Sequence, residues 1–235
     1  MSTLTRPSLS IILPVLNEAA SLSAQLAELQ GLRASGVELL VVDGGSSDGS
    51  AALPAALVDA LLAAPRGRAV QMNAGARAST GAALLFLHAD TTLPPSADQL
   101  ISRALEDGAL WGRFDVRIDG AHPLLRVVER MMNWRSRRTG VATGDQAIFV
   151  RRDVFEAVGG YPEIPLMEDI ALSKRLKRIA APACLAEQVT TSGRRWEKHG
   201  VLRTILLMWR LRAEYFFGAD PQRLALRYGY PPRAR

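Results

Sequence analysis

Three short runs of nearly continuous apolar residues lie at 9–16 (LSIILPVL), 37–42 (VELLVV) and 82–87 (AALLFL). Such runs are typical of strands that are covered on both faces. Residues 18–32 carry leucines at helical spacing, and the alanine-rich residues 51–62 predict a second helix. This alternation predicts an α/β fold with a mostly parallel sheet, which binds ligands at the carboxyl ends of its strands.

The second part of the chain has a looser pattern. Residues 111–119 alternate between apolar and polar side chains, residues 123–134 are amphipathic, and residues 147–150 predict a short strand. Residues 200–217 predict a basic, aromatic-rich helix. We expect a single domain over residues 1–235, with a first half at 8–110, a second half at 111–199, and a basic C-terminal helix and tail at 200–235.

The composition narrows the class of protein. With 235 residues, of which 48% are apolar, the chain can bury one substantial core. Its 29 basic and 23 acidic residues give a net charge of +6, which suits an anionic ligand, a phosphate-rich membrane surface or a nucleic acid. The single cysteine, Cys184, excludes an intramolecular disulfide and a cysteine-based zinc cluster, and it fits a reducing cytoplasm.

Neither secretion nor a membrane span is expected from the apolar segments. Residues 1–7 lack the apolar region of a signal peptide. The apolar run at residues 205–209 is far shorter than the ~20 residues that cross a bilayer. No zinc-finger or RNP signature is present, so no nucleic-acid partner is expected. We therefore predict a cytoplasmic protein.

Polar groups follow the first two predicted strands. The first strand ends in PVLNE at residues 14–18, and the second ends in DGGSSDGS at residues 43–50. The glycines permit tight turns, and Asp43 can accept hydrogen bonds from a base or a ribose. The alternative interpretation is a turn in which Asp48 or Ser47 caps the following helix.

A carboxylate also follows the third predicted strand. Asp90 comes directly after LLFLHA, at the end of a buried run. A carboxylate in this position can hold Mg²⁺ or Mn²⁺, which prefer oxygen ligands and retain waters or substrate phosphates. Such a metal would neutralise a departing diphosphate. The alternative is that Asp90 caps a helix that begins near Pro94.

These motifs, in the order LSIILPVLNE, VVDGGSSDGS, GRAVQMNAGA and LLFLHAD, resemble those of family 2 glycosyltransferases. The resemblance covers about the first hundred residues and implies the GT-A fold, an α/β fold with a mostly parallel central sheet flanked by helices. It makes residues 8–110 the nucleotide-binding half and residues 111–199 the acceptor half. It places Pro14, Glu18 and Asp43 in the nucleotide pocket, Arg68 near the donor, and Asp90 on the metal as the carboxylate of the DxD-like motif.

The first half of the chain departs from the family pattern in two motifs. His88 replaces the first aspartate of the DxD motif and leaves one carboxylate there. His88 could ligate a metal through its neutral imidazole, bind the ribose or serve only in packing. The family often has Ala-Arg-Asn where this chain has Gln71, Met72 and Asn73.

The second half carries further acidic residues that match the family. Glu168 and Asp169 resemble its ED motif, in which one carboxylate acts as general base, a role usually worth ~10²- to 10⁴-fold in rate. We assign the base to Asp169, and we expect Glu168 to orient the acceptor or a neighbouring cation and Asp145 to contact the substrate. The alternative for Glu168 and Asp169 is that they are ordinary first-turn acids, which the helix dipole favours.

Residues 194–196 (RRW) resemble the end of the family's QxxRW motif, with Ser192 in the place of glutamine. The resemblance implies that Arg194 and Arg195 bind the diphosphate as bidentate donors and that Trp196 packs over the sugar or the acceptor. His199 could complete the metal shell, or it could be an ordinary surface histidine.

The resemblance predicts a single displacement, with inversion at the anomeric carbon, from a nucleotide-diphosphate sugar to a hydroxyl of a small-molecule or lipid-linked acceptor. The segments GRAVQMNAGA and LLFLHADT resemble a small bacterial branch associated with arsenosugar biosynthesis. A nucleotidyltransferase is one alternative, although the chain lacks the long N-terminal glycine-rich loop of that class. A basic module that binds the inner membrane surface through residues 203–217 is another.

Overall fold

The computed structural model describes residues 8–52 and 55–230, which form eight strands and nine α-helices. The strands are β1 Leu9–Val15, β2 Glu38–Asp43, β3 Ala60–Ala63, β4 Ala83–Phe86, β5 Thr91–Thr92, β6 Trp111–Ile118, β7 Phe149–Arg151 and β8 Ala183–Thr191. The helices are α1 Ala19–Ala34, α2 Arg68–Ala78, α3 Ala97–Glu106, α4 Pro123–Thr139, α5 Arg152–Ala157, α6 Glu168–Leu176, α7 Arg194–His199, α8 Val201–Phe216 and α9 Pro221–Tyr228.

All eight strands belong to one sheet, with the order β3-β2-β1-β4-β7-β6-β8-β5. The first four strands in this order are parallel, β7 is antiparallel to both of its neighbours, and β6 and β8 are parallel to each other. The predicted α/β fold with a mostly parallel sheet is therefore confirmed. Parallel strands β1, β2 and β4 end at the same edge, where their following loops meet.

The sheet is buried on both faces because helices cover each side. Every residue of β1 is buried. Successive side chains point to opposite faces of a strand, so Leu13 packs in one apolar cluster with Leu26 of α1, whereas Ile12 packs in a second cluster with Met72 of α2. This double burial explains why the strand segments are continuously apolar.

The predicted helix at residues 51–62 is wrong. The described part of this segment forms short 3₁₀ turns at Ser50–Ala52 and Ala55–Leu57, followed by β3. The carboxylate of Asp59 accepts hydrogen bonds from the backbone N–H of Leu39 (2.8 Å) and from Nε of Arg33 (2.9 Å), and these bonds align the chain beside β2. Strand pairing here overrides the high helix propensity of alanine, because tertiary contacts outweigh intrinsic propensity.

Helix α2 approaches the sheet closely at Gly75. A Cβ atom on Gly75 would lie 2.5 Å from Cγ2 of Ile12 and 3.0 Å from Cγ2 of Val42, whereas one on Gly31 of α1 would meet no atom within 4 Å. We expect Gly75→Ala to lower the free energy of unfolding by about 1–3 kcal/mol through overpacking. The matched change Gly31→Ala should raise it by up to about 1 kcal/mol, because alanine favours the helix. Urea denaturation measures both, and equal effects would contradict the assigned packing.

Candidate functional site

A cavity of about 580 Å³ opens between the two halves of the chain, where the segments after β1 and β4 meet the start of α6 and the segment from β8 to α8. Its walls contain almost all of the side chains that the sequence singled out. The predicted residues that line it are Glu18, Arg68, His88, Asp90, Asp145, Glu168, Asp169, Arg194, Arg195, Trp196 and His199. Positions this far apart in the chain share one cavity, and their individual roles stay predictions.

Pro14 and Asp43 do not line this cavity. Pro14 is buried within β1, beside Val42 of β2. The carboxylate of Asp43 is almost fully buried and accepts hydrogen bonds from the backbone N–H groups of Gly45 (2.9 Å) and Ser46 (3.0 Å). In this structure Asp43 holds the turn after β2, so its predicted contact with a nucleotide stays a prediction.

The turn after β2 also fixes the start of α1. The backbone N–H of Glu18 donates to Oγ of Ser50 (2.9 Å), and that of Ala19 donates to the carboxylate of Asp48 (2.9 Å). Hydrogen bonds from the Ser50 hydroxyl and from backbone N–H groups hold the pKa of Asp48 below its usual value. Asp48 thus caps the preceding helix α1, and the glutamate on the cavity rim is held at a fixed backbone position.

Two segments about a hundred residues apart meet at Asp90. Strand β5, just after Asp90, pairs with β8, and the backbone N–H of Ser192 donates to the carbonyl oxygen of Asp90 (3.1 Å). This pairing brings Nη2 of Arg194 to 3.2 Å from the carboxylate of Glu18 and 3.8 Å from that of Asp90. Side chains from three different motifs therefore form one charged group on the cavity wall.

His88 faces Asp145 across the cavity floor. Its Nδ1 lies 3.4 Å from Oδ1 of Asp145, and its ring packs so closely on Gly144 that a Cβ there would lie 2.5 Å from the ring atoms Cε1 and Nε2. Burial alone would raise the pKa of Asp145, but the hydrogen bond and charge of His88, with Arg68 and Arg212, lower it. His88 therefore orients an ionised Asp145, and its role on a metal stays a prediction.

The adjacent acids Glu168 and Asp169 begin helix α6. The carboxylate of Asp169 accepts hydrogen bonds from the backbone N–H groups of Gly144 (2.8 Å) and Ile170 (2.6 Å), which fix its position. Glu168 is almost fully buried. Burial, reinforced by the neighbouring Asp169, raises the pKa of Glu168 to about 7. The two carboxyl groups thus have different environments although they are neighbours in sequence.

Helices α8 and α9, together with the two residues after α9, contribute cavity residues that the sequence did not reveal: Thr204, Met208, Leu211, Arg212, Tyr228, Gly229 and Tyr230. Arg195 connects these helices to the rest of the site, because its guanidinium lies 3.6 Å from the ring centroid of Tyr228 and donates to the Tyr228 carbonyl oxygen (2.7 Å). The amphipathic pattern predicted helix α8, but only its packing shows which of its arginines faces the cavity.

The donor set for a divalent metal at this cavity is small. Within residues 8–52 and 55–230, no group of three or more His, Cys, Asp or Glu side chains is arranged to hold an ion by itself. Mg²⁺ is usually bound by one or two carboxylates together with waters and substrate phosphates. The Asp90 carboxylate on the cavity wall fits a site of this kind, in which one carboxylate and a diphosphate hold the ion together.

The buried Glu168 makes stability depend on pH. Below pH 4.5, the ordinary value, the carboxyl is protonated in both the folded and the unfolded chain. Between pH 4.5 and about 7 only the unfolded chain releases the proton, so the free energy of unfolding falls as the pH rises. We expect Glu168→Gln to remove this loss. Urea denaturation at several pH values compares the two proteins, and parallel curves would contradict the raised pKa.

Comparison with known proteins relates these features to a family. Residues 10–159 match the family model described as "Glycosyl transferase family 2". This match covers well over half of the chain and favours the glycosyltransferase prediction over the nucleotidyltransferase alternative. No curated protein is similar enough in sequence to match the chain.

Solved structures share the fold. S. aureus TarS 1–349 in complex with UDP is 14% identical, with a TM-score of 0.63 over 79% of this chain and 60% of that one. The mannosyltransferase PcManGT from Pyrobaculum calidifontis, in complex with GDP-Man and Mn²⁺, is 20% identical, with a TM-score of 0.63 over 97% of this chain and 67% of that one. Glucosyl-3-phosphoglycerate synthase from Mycobacterium tuberculosis is 18% identical, with a TM-score of 0.57 over 79% and 70%.

These identities are low, so the similarities concern the fold alone. They confirm the predicted GT-A architecture of a central sheet flanked by helices. The chain spans 36% of a longer TarS structure and 60% of the 1–349 structure.

Proposed function

The chain belongs to glycosyl transferase family 2, and on that premise we propose that it transfers a sugar from a nucleotide-diphosphate donor to an acceptor hydroxyl in the 580 Å³ cavity. The observation that carries the proposal is the convergence of Asp90, Arg194 and Asp169 on this one cavity. An arginine suits the diphosphate, a carboxylate suits a metal ion bound with that diphosphate, and a second carboxylate suits the removal of a proton.

The donor side of the reaction needs stabilisation of the leaving diphosphate. Arg68, Arg194 and Arg195 supply permanent positive charge, and although burial opposes it, nearby carboxylates led by Glu168 raise the pKa of Arg68 above its ordinary value. Asp90 would hold Mg²⁺ or Mn²⁺ together with the diphosphate, and the ion would neutralise charge on the leaving group. Support comes from the relatives crystallised with Mn²⁺, PcManGT with GDP-Man and glucosyl-3-phosphoglycerate synthase with UDP.

The acceptor side needs a general base. Asp169 takes the proton of the acceptor hydroxyl as that oxygen attacks the anomeric carbon, and the bond from this carbon to the diphosphate oxygen breaks with its electron pair on the diphosphate. A single displacement of this kind inverts the anomeric configuration. Backbone hydrogen bonds hold Asp169 in place, while the buried Glu168 orients the acceptor.

The acceptor is a small molecule or a lipid-linked compound, and arsenosugar biosynthesis is the branch that the segments GRAVQMNAGA and LLFLHADT support by resemblance. A cytoplasmic location fits both kinds of acceptor. His88 and His199 are secondary candidates for the metal shell, because both line the cavity.

Nucleotide binding tests the role of Asp90. A ligand that binds the folded state raises the apparent melting temperature, so we expect UDP or GDP with Mn²⁺ to raise Tm for the wild type. Asp90→Ala should lose this rise, while Asp107→Ala, at an exposed position outside the cavity, should keep it. Equal rises for wild type and Asp90→Ala would remove Asp90 from its assigned role.

A peripheral membrane contact is a second part of the proposal, supported by exposed apolar side chains on two neighbouring helices, α4 and α8. Each of these side chains is at least half exposed, and together they form what we call the α4–α8 face: Val127, Met131, Trp134, Leu202, Leu206 and Trp209. Exposed Arg130 and Arg138 lie on the same side of α4 as Trp134. Among the described helices, none is long and apolar enough to cross a bilayer.

Vesicle binding tests the α4–α8 face. Tryptophan and arginine at an apolar surface suit the interface of an anionic bilayer, so we expect vesicles with anionic lipid to shift the tryptophan fluorescence to shorter wavelength and to sediment the protein. The double change Trp134→Ser and Trp209→Ser should abolish sedimentation, and the exposed Ile179→Ser on another surface should not. Undiminished sedimentation of the double variant would contradict the contact.

A further inference from the structure

A second, strongly basic cleft adjoins the cavity. It has a volume of about 480 Å³ and lies between α7, α8 and α9. No aspartate or glutamate of the described chain lines it, whereas its walls carry the basic side chains Arg195, Lys198, His199, Arg203 and Arg227. Arg195, Lys198 and His199 line both the cleft and the larger cavity, so the two spaces are adjacent.

We propose that this cleft binds an anionic group of the acceptor, a phosphate or a carboxylate, while the acceptor hydroxyl lies in the larger cavity. The inference rests on the proposed function and narrows its acceptor to an anion. Four arginine or lysine side chains in one concave, partly apolar space repel one another and attract an anion. Arginine in particular suits this role, because its planar guanidinium can donate to two oxygens of a phosphate or a carboxylate at once.

The charges in the cleft are largely unneutralised by the protein. Within residues 8–52 and 55–230, Arg227 is the one basic side chain of this cleft that forms an ion pair, and its partner is Glu214. Lys198 and Arg203 are exposed and have no acidic partner within the same described ranges. The net charge of the cleft is therefore positive, unlike that of the larger cavity, where Glu18, Asp90 and Arg194 offset one another.

Arg195 lies between the cleft and the larger cavity and lines both. Its guanidinium is fixed by the Tyr228 ring and carbonyl oxygen, and its Nε is buried without a hydrogen-bond partner in the described structure. A buried donor without a partner is unfavourable, and an oxyanion nearby relieves part of that cost by interaction with the charge. Tyr228 and Leu207 add aromatic and aliphatic surface to the walls of the cleft.

Binding of inorganic phosphate in the presence of UDP and Mn²⁺ tests the inference, because the nucleotide then occupies the donor side. Arg203 and Arg227 line the cleft but not the larger cavity. We expect the double change Arg203→Gln and Arg227→Gln to weaken phosphate binding at least tenfold, measured by titration calorimetry. The control Arg103→Gln and Arg223→Gln removes the same charge outside the cleft and should bind phosphate like the wild type. Equal phosphate affinities in the two double variants would overturn the inference.

Two further measurements separate the possible failures. The rise in Tm with UDP and Mn²⁺ should be the same in both double variants. If the wild type shows no such rise, the proposed function is contradicted, but the phosphate affinities of the two double variants can still be compared. Arg203→Glu guards against misfolding of the double variant, and it should lose phosphate binding while keeping that rise. Glycerol 3-phosphate and vesicles of phosphatidic acid with phosphatidylcholine then distinguish a free phosphate ester from a lipid headgroup, and cleft-dependent binding of either supports the inference.

Discussion

The pairing of β5 with β8 holds the two sides of the cavity together. Thr91 lies opposite Thr191, their hydroxyl groups are 3.2 Å apart, and Thr92 pairs with Thr190. Strand β8 also runs parallel to β6 at the centre of the second half. Asp90 and Arg194 flank this small ladder, so backbone hydrogen bonds set the positions of their main chains, and Nη2 of Arg194 lies 3.8 Å from the carboxylate of Asp90. A site on sheet backbone is positioned more precisely than one on free loops.

Neighbouring carboxyl groups in this cavity have different proton affinities because their surroundings differ. Burial and Asp169 raise the pKa of Glu168, whereas His88, Arg68 and Arg212 overcome the effect of burial and lower that of Asp145. Environments that separate the pKa values of nearby acids are typical of sites that use one group to donate or orient and another to accept. The lowered pKa of Asp145 depends on arginines close to it, and Arg68 and Arg212 have that position in the cavity.

The C-terminal helices give the site its basic character. Arg195 stacks on Tyr228 of α9, and Arg212 of α8 lines the cavity together with Arg68 of α2. Helix α8 has two distinct faces, since Met208 and Leu211 line the cavity while Leu206 and Trp209 are exposed. Helix α8 therefore lies between the cavity and the α4–α8 face.

The sequence by itself determined strands β1, β2 and β4 and the motifs that follow them. Continuous apolar runs predicted β1, β2 and β4 because burial on both faces leaves no polar positions, and the positions of Glu18 and Asp90 followed from the strand ends. The alanine-rich pattern of residues 51–62 predicted a helix, which is wrong, because strand pairing of β3 outweighs the helix propensity of alanine. Only the tertiary structure decided that Arg212 and Tyr228 belong to the cavity and that Asp43 holds a turn. The spacing of apolar residues shows which face of a helix is apolar. It does not show which polar side chain of that helix reaches a distant site, because this depends on packing between elements far apart in sequence.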